Sequence, residues 1–303
     1  MNKIAIAITT ASFGEFDREP LKLLEAAGFK VILNPYKRKL MGEEVIELCK
    51  DATGIIAGTE MLDAKVMESL PKLKVISRCG SGIDNVDCNV AKKKGIKVFN
   101  TADAPTLAVA ELAVGLTIIL LRKVCKMDDA IRNGRWEKLM GNLLYDKKVG
   151  IIGFGRIGKK VAELLRPFNC EITYADPFVA DGLLGLKRLS IENLLKWADI
   201  ITIHVSGKDK IIGKKELGLM KKGSWIINIS RGDSMDEDAL YDHLKSGHIL
   251  GAALDVFQNE PYNGSLRELD NVILTPHIGS YAKEARIKME IEAVKNLLTG
   301  LER

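Results

Sequence analysis

Gly153-Phe154-Gly155-Arg156-Ile157-Gly158 forms a GxGxxG turn between the strand-like run 147–153 and the helix-like run Lys159–Leu165. In such a turn the first glycine permits a tight bend and the second lets backbone approach a pyrophosphate. The third allows close helix–strand packing, and the helix N-terminus adds free N–H groups and a partial positive charge. Alone the spacing is a weak signal, because glycines at turns also serve purely structural ends. Asp176 strengthens it. It closes the next strand-like run, 23 residues after Gly153, where a carboxylate would accept hydrogen bonds from adenosine ribose hydroxyls. The same carboxylate would repel a 2′-phosphate, and the residues that follow are Pro177 and Phe178 rather than an arginine. This favours NAD over NADP. Asp-Pro also starts turns, so the combination of strand, turn, helix, strand and acid carries the reading.

Three later segments each put a polar residue just past a strand-like run, at the edge where parallel sheets bind ligands. INISRGD supplies Arg231, whose planar fork suits a carboxylate or carbonyl oxygen bidentately; a surface salt bridge is the plainer alternative. LDVFQNEP supplies Glu260, and LTPHIGS supplies His277. Transferring a hydride from an alcohol also requires moving a proton, and histidine titrates in the useful range. A lone histidine in an apolar segment also serves as a hydrogen-bonded structural residue. A carboxylate beside it would hold the ring's tautomer, but spacing does not reveal whether Glu260 touches His277.

The elements that must position these residues alternate between Ile/Val-rich strands and helical periodicity. Strand-like runs at 3–9, 30–34, 53–58, 73–77 and 96–100 form a first series of five, interleaved with helices near 20–27, 43–50 and 63–69. Such alternation implies a parallel sheet covered on both faces. A long apolar helix-like stretch then spans 105–134, with Gly134 as its stop; its broad apolar surface fits a dimer interface and a core helix equally. Six more strands are expected at 147–153, 170–176, 199–205, 224–230, 249–255 and 271–277, and a last helix over Ala282–Leu298. A chain of 303 residues holds about two domains.

Composition narrows the class. The chain is 47% hydrophobic and 28% charged, and its net charge of +5 comes from 45 basic and 40 acidic residues. The short basic runs at 37–39 and 92–94 lack aromatic interleaving, so no nucleic-acid partner is expected. Five cysteines without a CxxC pair, and four histidines without HExxH spacing, argue against a disulfide frame or a metal site. The apolar run Leu112–Leu121 is far short of the roughly 20 residues a membrane span needs. Met1 leads directly into a strand pattern without a signal peptide, so a cytoplasmic protein is expected.

Taken together, the chain resembles the D-isomer-specific 2-hydroxyacid dehydrogenases, most closely their phosphoglycerate dehydrogenase-like branch. The likeness runs through SRCGSGIDNVD (77–87), NTADAPTLAVAEL (100–112), GIIGFGRIGKKVAELL (150–165), NISRGDSMDEDAL (228–240), GAALDVFQNEP (251–261) and TPHIGSYAKEA (275–285). It implies two doubly wound α/β domains. A Rossmann NAD-binding domain (100–281) is inserted into a flavodoxin-like substrate domain (1–99 and 282–303), the two lining a cleft. It assigns Arg231, Glu260 and His277 as the catalytic trio: Arg231 orients a 2-oxo acid, His277 exchanges the proton and Glu260 tunes it. It gives Gly153, Gly155, Arg156, Ile157, Gly158, Asp176, His204, Val205, Ser206, Ile229, Asp255 and Gly279 to the cofactor. Asp255 is expected at the nicotinamide end and 204–206 along the adenine. Arg78, Ser81 and Gly82, with Arg231 and His277, are given to the substrate, Ser81-Gly82 binding its carboxylate through backbone N–H groups.

Some positions depart from the family pattern. Ser206 stands where a proline is usual, and Gly58, Thr59 and Glu60 stand where phosphoglycerate-binding relatives often carry arginine. The chain ends at Arg303, so no serine-sensing regulatory domain, and no allosteric inhibition by serine, is expected. The resemblance implies a homodimeric NAD-dependent dehydrogenase of a D-2-hydroxy acid, with 3-phosphoglycerate as the first expectation. The alternatives are a glyoxylate/hydroxypyruvate or other 2-oxo acid reductase, and an NAD-sensing binding protein without turnover.

Overall fold

The computed structural model describes residues 3–207 and 209–302. The chain divides into two compact units, one running up to Pro105 and resuming at Ser280, the other covering Thr106–Gly279. In the first, β1 (Ala5–Ile8), β2 (Lys30–Leu33), β3 (Gly54–Ala57), β4 (Val75–Arg78) and β5 (Lys97–Asn100) form a parallel sheet in the order β2-β1-β3-β4-β5. Each strand is only four residues long. Those of β1 and β3 are buried throughout, as a strand covered on both faces must be. The helix Lys283–Gly300 returns to this sheet, and its Met289, Ala293, Val294 and Leu297 are buried against Ile6, Ile8 and Val75.

The second unit holds β6 (Lys148–Ile152), β7 (Glu171–Ala175), β8 (Lys187–Arg188), β9 (Ile200–Ile203), β10 (Ser224–Asn228), β11 (Ile249–Leu254) and β12 (Val272–Leu274). Their order is β12-β11-β10-β9-β6-β7-β8, all parallel. This is the doubly wound dinucleotide-binding order with one strand added beyond β11.

Several expectations need correction. The second sheet has seven strands rather than six; β8 is two exposed residues with no apolar pattern to betray it. The stretch 105–134 is two helices, Thr106–Arg122 and Val124–Arg132, broken where Lys123 takes a left-handed φ of 55°. The first is a core helix, with Val109, Ala113, Leu116 and Leu120 packed beside β6, β10 and β11 residues. The unit borders lie a few residues from 99/100 and 281/282. Residues 100–105 stay with the first sheet because Thr101 N–H donates to the Gly80 carbonyl and Ala104 is buried in that core. Met1, Asn2 and Arg303, at the ends of the expected substrate domain, lie outside the described residues.

Candidate active site

The glycine turn leaves β6 at its carboxyl end. Gly153 has φ +87°, and a Cβ there would lie 2.6 Å from the His204 carbonyl oxygen. A Cβ on Gly158 would lie 2.2 Å from the Gly153 carbonyl oxygen, so the helix Arg156–Leu165 packs this close only because both are glycine. Gly155 behaves differently, with open space where its Cβ would be. It precedes the helix's first turn, whose N–H groups have no side-chain cap. A pyrophosphate fits such a turn: room over backbone, unclaimed donors and the positive end of a helix dipole.

Asp176 is drawn onto that turn. One oxygen accepts from Phe154 N–H at 2.7 Å and the other from Phe178 N–H at 2.8 Å. The carboxylate thus supports the turn, starts the Asp-Pro bend, and stands at the end of β7 where a ribose would be read. Of the neighbouring candidates, Arg156 is exposed and Ile157 half-buried, while Ile229 is part of the core. His204 is buried, with Nε2 2.8 Å from the Thr202 hydroxyl, and burial pushes its imidazole down to about 3. Its side chain is therefore structural, leaving half-buried Val205 and exposed Ser206 as the accessible part of that segment.

The trio comes from three neighbouring strands of the same sheet. Arg231 follows β10, Glu260 lies in the loop after β11, and His277 follows β12. Because the strands are parallel, all three loops leave at one edge. Gly232 lets two of them meet: a Cβ there would fall 1.9 Å from the carbonyl carbon of Phe257, so backbone rests on backbone. Gln258 ties the same loops by donating to the Met235 carbonyl at 2.8 Å. Asn228 donates to the Arg231 carbonyl at 3.0 Å, and Arg231 itself donates to the Ser230 carbonyl at 2.7 Å.

His277 and Glu260 are in contact. Nδ1 lies 2.9 Å from Glu260 Oε2 and 3.1 Å from Oε1, leaving the other ring nitrogen, Nε2, to face outward chemistry. The backbone at His277 has φ 55°, a left-handed conformation that costs a non-glycine residue about 1 kcal/mol or more. Asp255 holds it there. Its carboxylate, 1% exposed, accepts from the Thr275 hydroxyl at 2.6 Å and from Ile278 and Gly279 N–H at 2.8 Å each. Both flanks of the histidine are pinned by one buried group, whose pKa burial raises against the pull of those donors. Asp255 and Gly279, expected beside the cofactor, are thus committed to this anchor, and a Cβ on Gly279 would lie 3.2 Å from Asp255 Oδ2.

In the first unit, the loop after β4 is fastened on both sides. Gly80 N–H donates to the Thr101 hydroxyl at 2.7 Å, and Asn100 donates to the Ser81 carbonyl at 2.6 Å. Arg78 folds over Gly80 and donates to the Cys79 carbonyl at 2.6 Å. Ser81 and Gly82 remain half-buried at the sheet's carboxyl edge.

Residues 114–279 match the model of the D-isomer specific 2-hydroxyacid dehydrogenase NAD binding domain. The chain is also 38% identical to the D-3-phosphoglycerate dehydrogenase of Methanocaldococcus jannaschii over 297 residues, 93% of this chain. It belongs to the D-isomer-specific 2-hydroxyacid dehydrogenase family. The hydroxypyruvate reductase of Thermotoga maritima is likewise 38% identical, over 82% of this chain and 84% of its own. A glyoxylate reductase structure from Paecilomyes thermophila superposes with a TM-score of 0.88 at 30% identity, covering all of this chain and 97% of that one. The chain spans 56% of the length of the M. jannaschii protein. Within the family fold, the segment that binds NAD is the second unit, which carries the glycine turn and Asp176.

The supports were not visible in the sequence. The sequence points to Asp255 as a cofactor contact rather than an anchor, and it gives no separate role to Thr275, Gly232, Gln258 or Asn228. Only the Gly of RGD, immediately after a candidate arginine, offered a hint that backbone had to pass closely there.

Proposed function

We propose that the chain is an NAD-dependent oxidoreductase of D-2-hydroxy acids in which His277 moves the proton. The observation that carries this is the His277–Glu260 contact on a strained, doubly pinned turn. NAD, when bound, accepts the hydride in oxidation and, reduced, returns it. In oxidation neutral His277 takes the hydroxyl proton at Nε2 while Nδ1–H donates to Glu260; in reduction the protonated ring gives it back. Glu260 fixes the tautomer and steadies the charge that forms. The Arg231 fork orients the acid and polarises its oxo group. The first unit is read as the substrate domain, with Arg78, Ser81 and Gly82 as substrate contacts; the second is the cofactor domain.

Oxidation of 3-phosphoglycerate, a serine-biosynthesis step, draws support from the name of the M. jannaschii relative. Reduction of glyoxylate or hydroxypyruvate draws it from the other two. An NAD sensor without turnover is disfavoured, since a pinned acid–base pair serves no purpose in mere binding. The reading extends to a cytoplasmic homodimer. Between the helix Val124–Arg132 and β6, Trp136 is 81% and Met140 89% exposed, with Leu143 and Tyr145 also out. So much apolar surface in one segment suits burial against a second copy. No described helix is long and apolar enough to cross a membrane. Steady-state NAD(H) turnover with 3-phosphoglycerate, D-glycerate, D-lactate and their oxo forms tests the reading. Tight NADH binding without turnover of any of them would replace it with the sensor.

A further inference from the structure

The glycine turn and the trio occupy the carboxyl edge of the second sheet. At the opposite, amino edge, the turns that enter β6, β9 and β10 come together, because those strands are parallel neighbours. A cleft of about 210 Å³ opens among them. Lys147 lines it from the turn before β6, Asp199 from the turn before β9, and Lys221, Lys222 and Gly223 from the turn before β10. Asp199 frames the cleft. Its Oδ2 accepts from Lys148 N–H at 3.0 Å and its Oδ1 from Lys221 Nζ at 2.8 Å. Its own N–H donates to the Lys148 carbonyl at 2.8 Å, and its carbonyl accepts from Trp225 N–H at 3.0 Å. One residue thus ties all three strand starts together.

The Asp199 carboxylate is committed to those partners and answers one of three ammonium groups. Among the described residues, the side chains of Lys147 and Lys222 make no hydrogen bond or ion pair. The flanking carboxylates are engaged elsewhere: Asp146 accepts from the Asn169 side chain, and Glu171 lies 3.9 Å from Lys148 Nζ. Lys222 is exposed, but Lys147 is half-buried, and holding an ammonium against protein without a counter-charge costs free energy. An anion entering the cleft removes that cost. Lysine serves phosphate as a point charge, whereas a planar carboxylate favours the fork of arginine. Among the described residues that line the cleft there are three lysines and no arginine. The volume is below the roughly 300–1,000 Å³ of sites for drug-sized ligands, so the occupant is small.

We propose that this cleft is a second anion site, binding a small phosphate-type dianion through Lys147 and Lys222, with Lys221 adding to the positive field. The dianion is inorganic phosphate or the phosphate of a monoester. The site is distinct from the glycine turn, since the strands of the sheet run between them, and it stands whichever acid the chain turns over. A bound dianion neutralises the two unanswered ammonium groups and links the start of β6 to that of β10. Its direct effect is therefore on the stability of the second unit.

The test is titration calorimetry of the full chain at fixed ionic strength, with NAD saturating so that the glycine turn is filled. The probes are inorganic phosphate, glycerol 3-phosphate and malonate. Lys147→Gln and Lys222→Gln should each weaken phosphate binding by about fivefold, the upper scale of a partly exposed ion pair, and the double variant by more than about tenfold. Lys222→Arg should retain binding, and Lys65→Gln, an exposed change in the first unit, should leave it unaltered. Binding to the cleft is read as the part that the double variant loses. Phosphate should also raise the urea midpoint of the second unit, over chloride at equal ionic strength, more in the wild type than in the double variant; the comparison removes the general stabilisation that phosphate gives any protein. Tighter binding of glycerol 3-phosphate assigns the site to a monoester, and tighter binding of inorganic phosphate assigns it to the free ion. Phosphate affinity that the double variant leaves unchanged, an equal loss with Lys65→Gln, or malonate bound as tightly as phosphate overturns the proposal.

Discussion

Both units are parallel sheets with helices on either face, yet their carboxyl edges are built on opposite plans. In the second unit the working groups are half-exposed and the supports are buried: Asp255 lies beneath the turn that lifts His277, and Gly232 lets the loops after β10 and β11 touch. In the first unit the charged groups themselves are buried, with Arg286 on Glu290 and Glu60 on Thr9 and Gly58. What remains at its surface is backbone, hydroxyls and the half-buried Arg78. On the function proposed above, one edge moves a proton and the other recognises without reacting. The same architecture yields either outcome according to whether a strand end presents a titratable side chain or hides it.

Replacing the proposed proton carrier should break this contrast most severely. Asparagine tolerates φ near 55° better than most non-glycine residues, so His277→Asn removes the imidazole with little change to the backbone. Turnover should fall by about 10²–10⁴-fold while NADH affinity, followed by its fluorescence, stays within a few-fold. Turnover near the wild-type rate would show that proton transfer lies elsewhere. The next largest effect is expected from the anchor. Asp255→Asn puts an NH₂ against backbone N–H groups that now have an acceptor, at a cost of about 1–3 kcal/mol in urea unfolding. It should also lower kcat about 10–100-fold, the scale on which outer supports act, with KM for the oxo acid less affected. A stable protein with unchanged kcat would mean that His277 keeps its pose unaided.

The divide between group and support also marks what a sequence can convey. Ile/Val runs, the GxGxxG turn and Asp176 are local signals, because each is dictated by neighbours a few residues away. They led to both parallel sheets and to the turn. Arg231, Glu260 and His277 stood out by residue type at strand ends, and the sheet order β10-β11-β12 is what makes them neighbours. The His277–Glu260 contact spans 17 residues and depends on a left-handed histidine that nothing in TPHIG announces. The anchoring of that turn by Asp255, more than 20 residues upstream, is equally nonlocal. The break at Lys123 and the two-residue strand β8 were hidden for another reason: propensity there is overridden by packing and by pairing with β7. The long apolar stretch, which fits a dimer surface and a core helix equally, opens with a core helix, and the exposed apolar residues follow it instead.

The gentlest probe of the comparison uses acid. His204 belongs to the second unit's edge, where the fold accepts only the neutral ring. Among the described residues Nδ1 has no partner, so a proton added there would sit buried and unbonded. Its value is pushed from 6.5 to about 3 by burial. The unfolded chain therefore takes up a proton below about pH 6.5 and the folded chain does not. The stability conferred above that pH is lost as pH falls toward 3, at about 1.4 kcal/mol per unit. Over pH 6.5 to 5 the loss is about 2 kcal/mol. All three tryptophans, Trp136, Trp197 and Trp225, lie in the second unit, so urea unfolding followed by their fluorescence reports that unit alone. His204→Gln retains a partner for the Thr202 hydroxyl and cannot titrate. Its unfolding free energy should change less over this range than the wild type's, by about that amount. If the two pH profiles run parallel, the buried imidazole is not what makes this edge acid-sensitive.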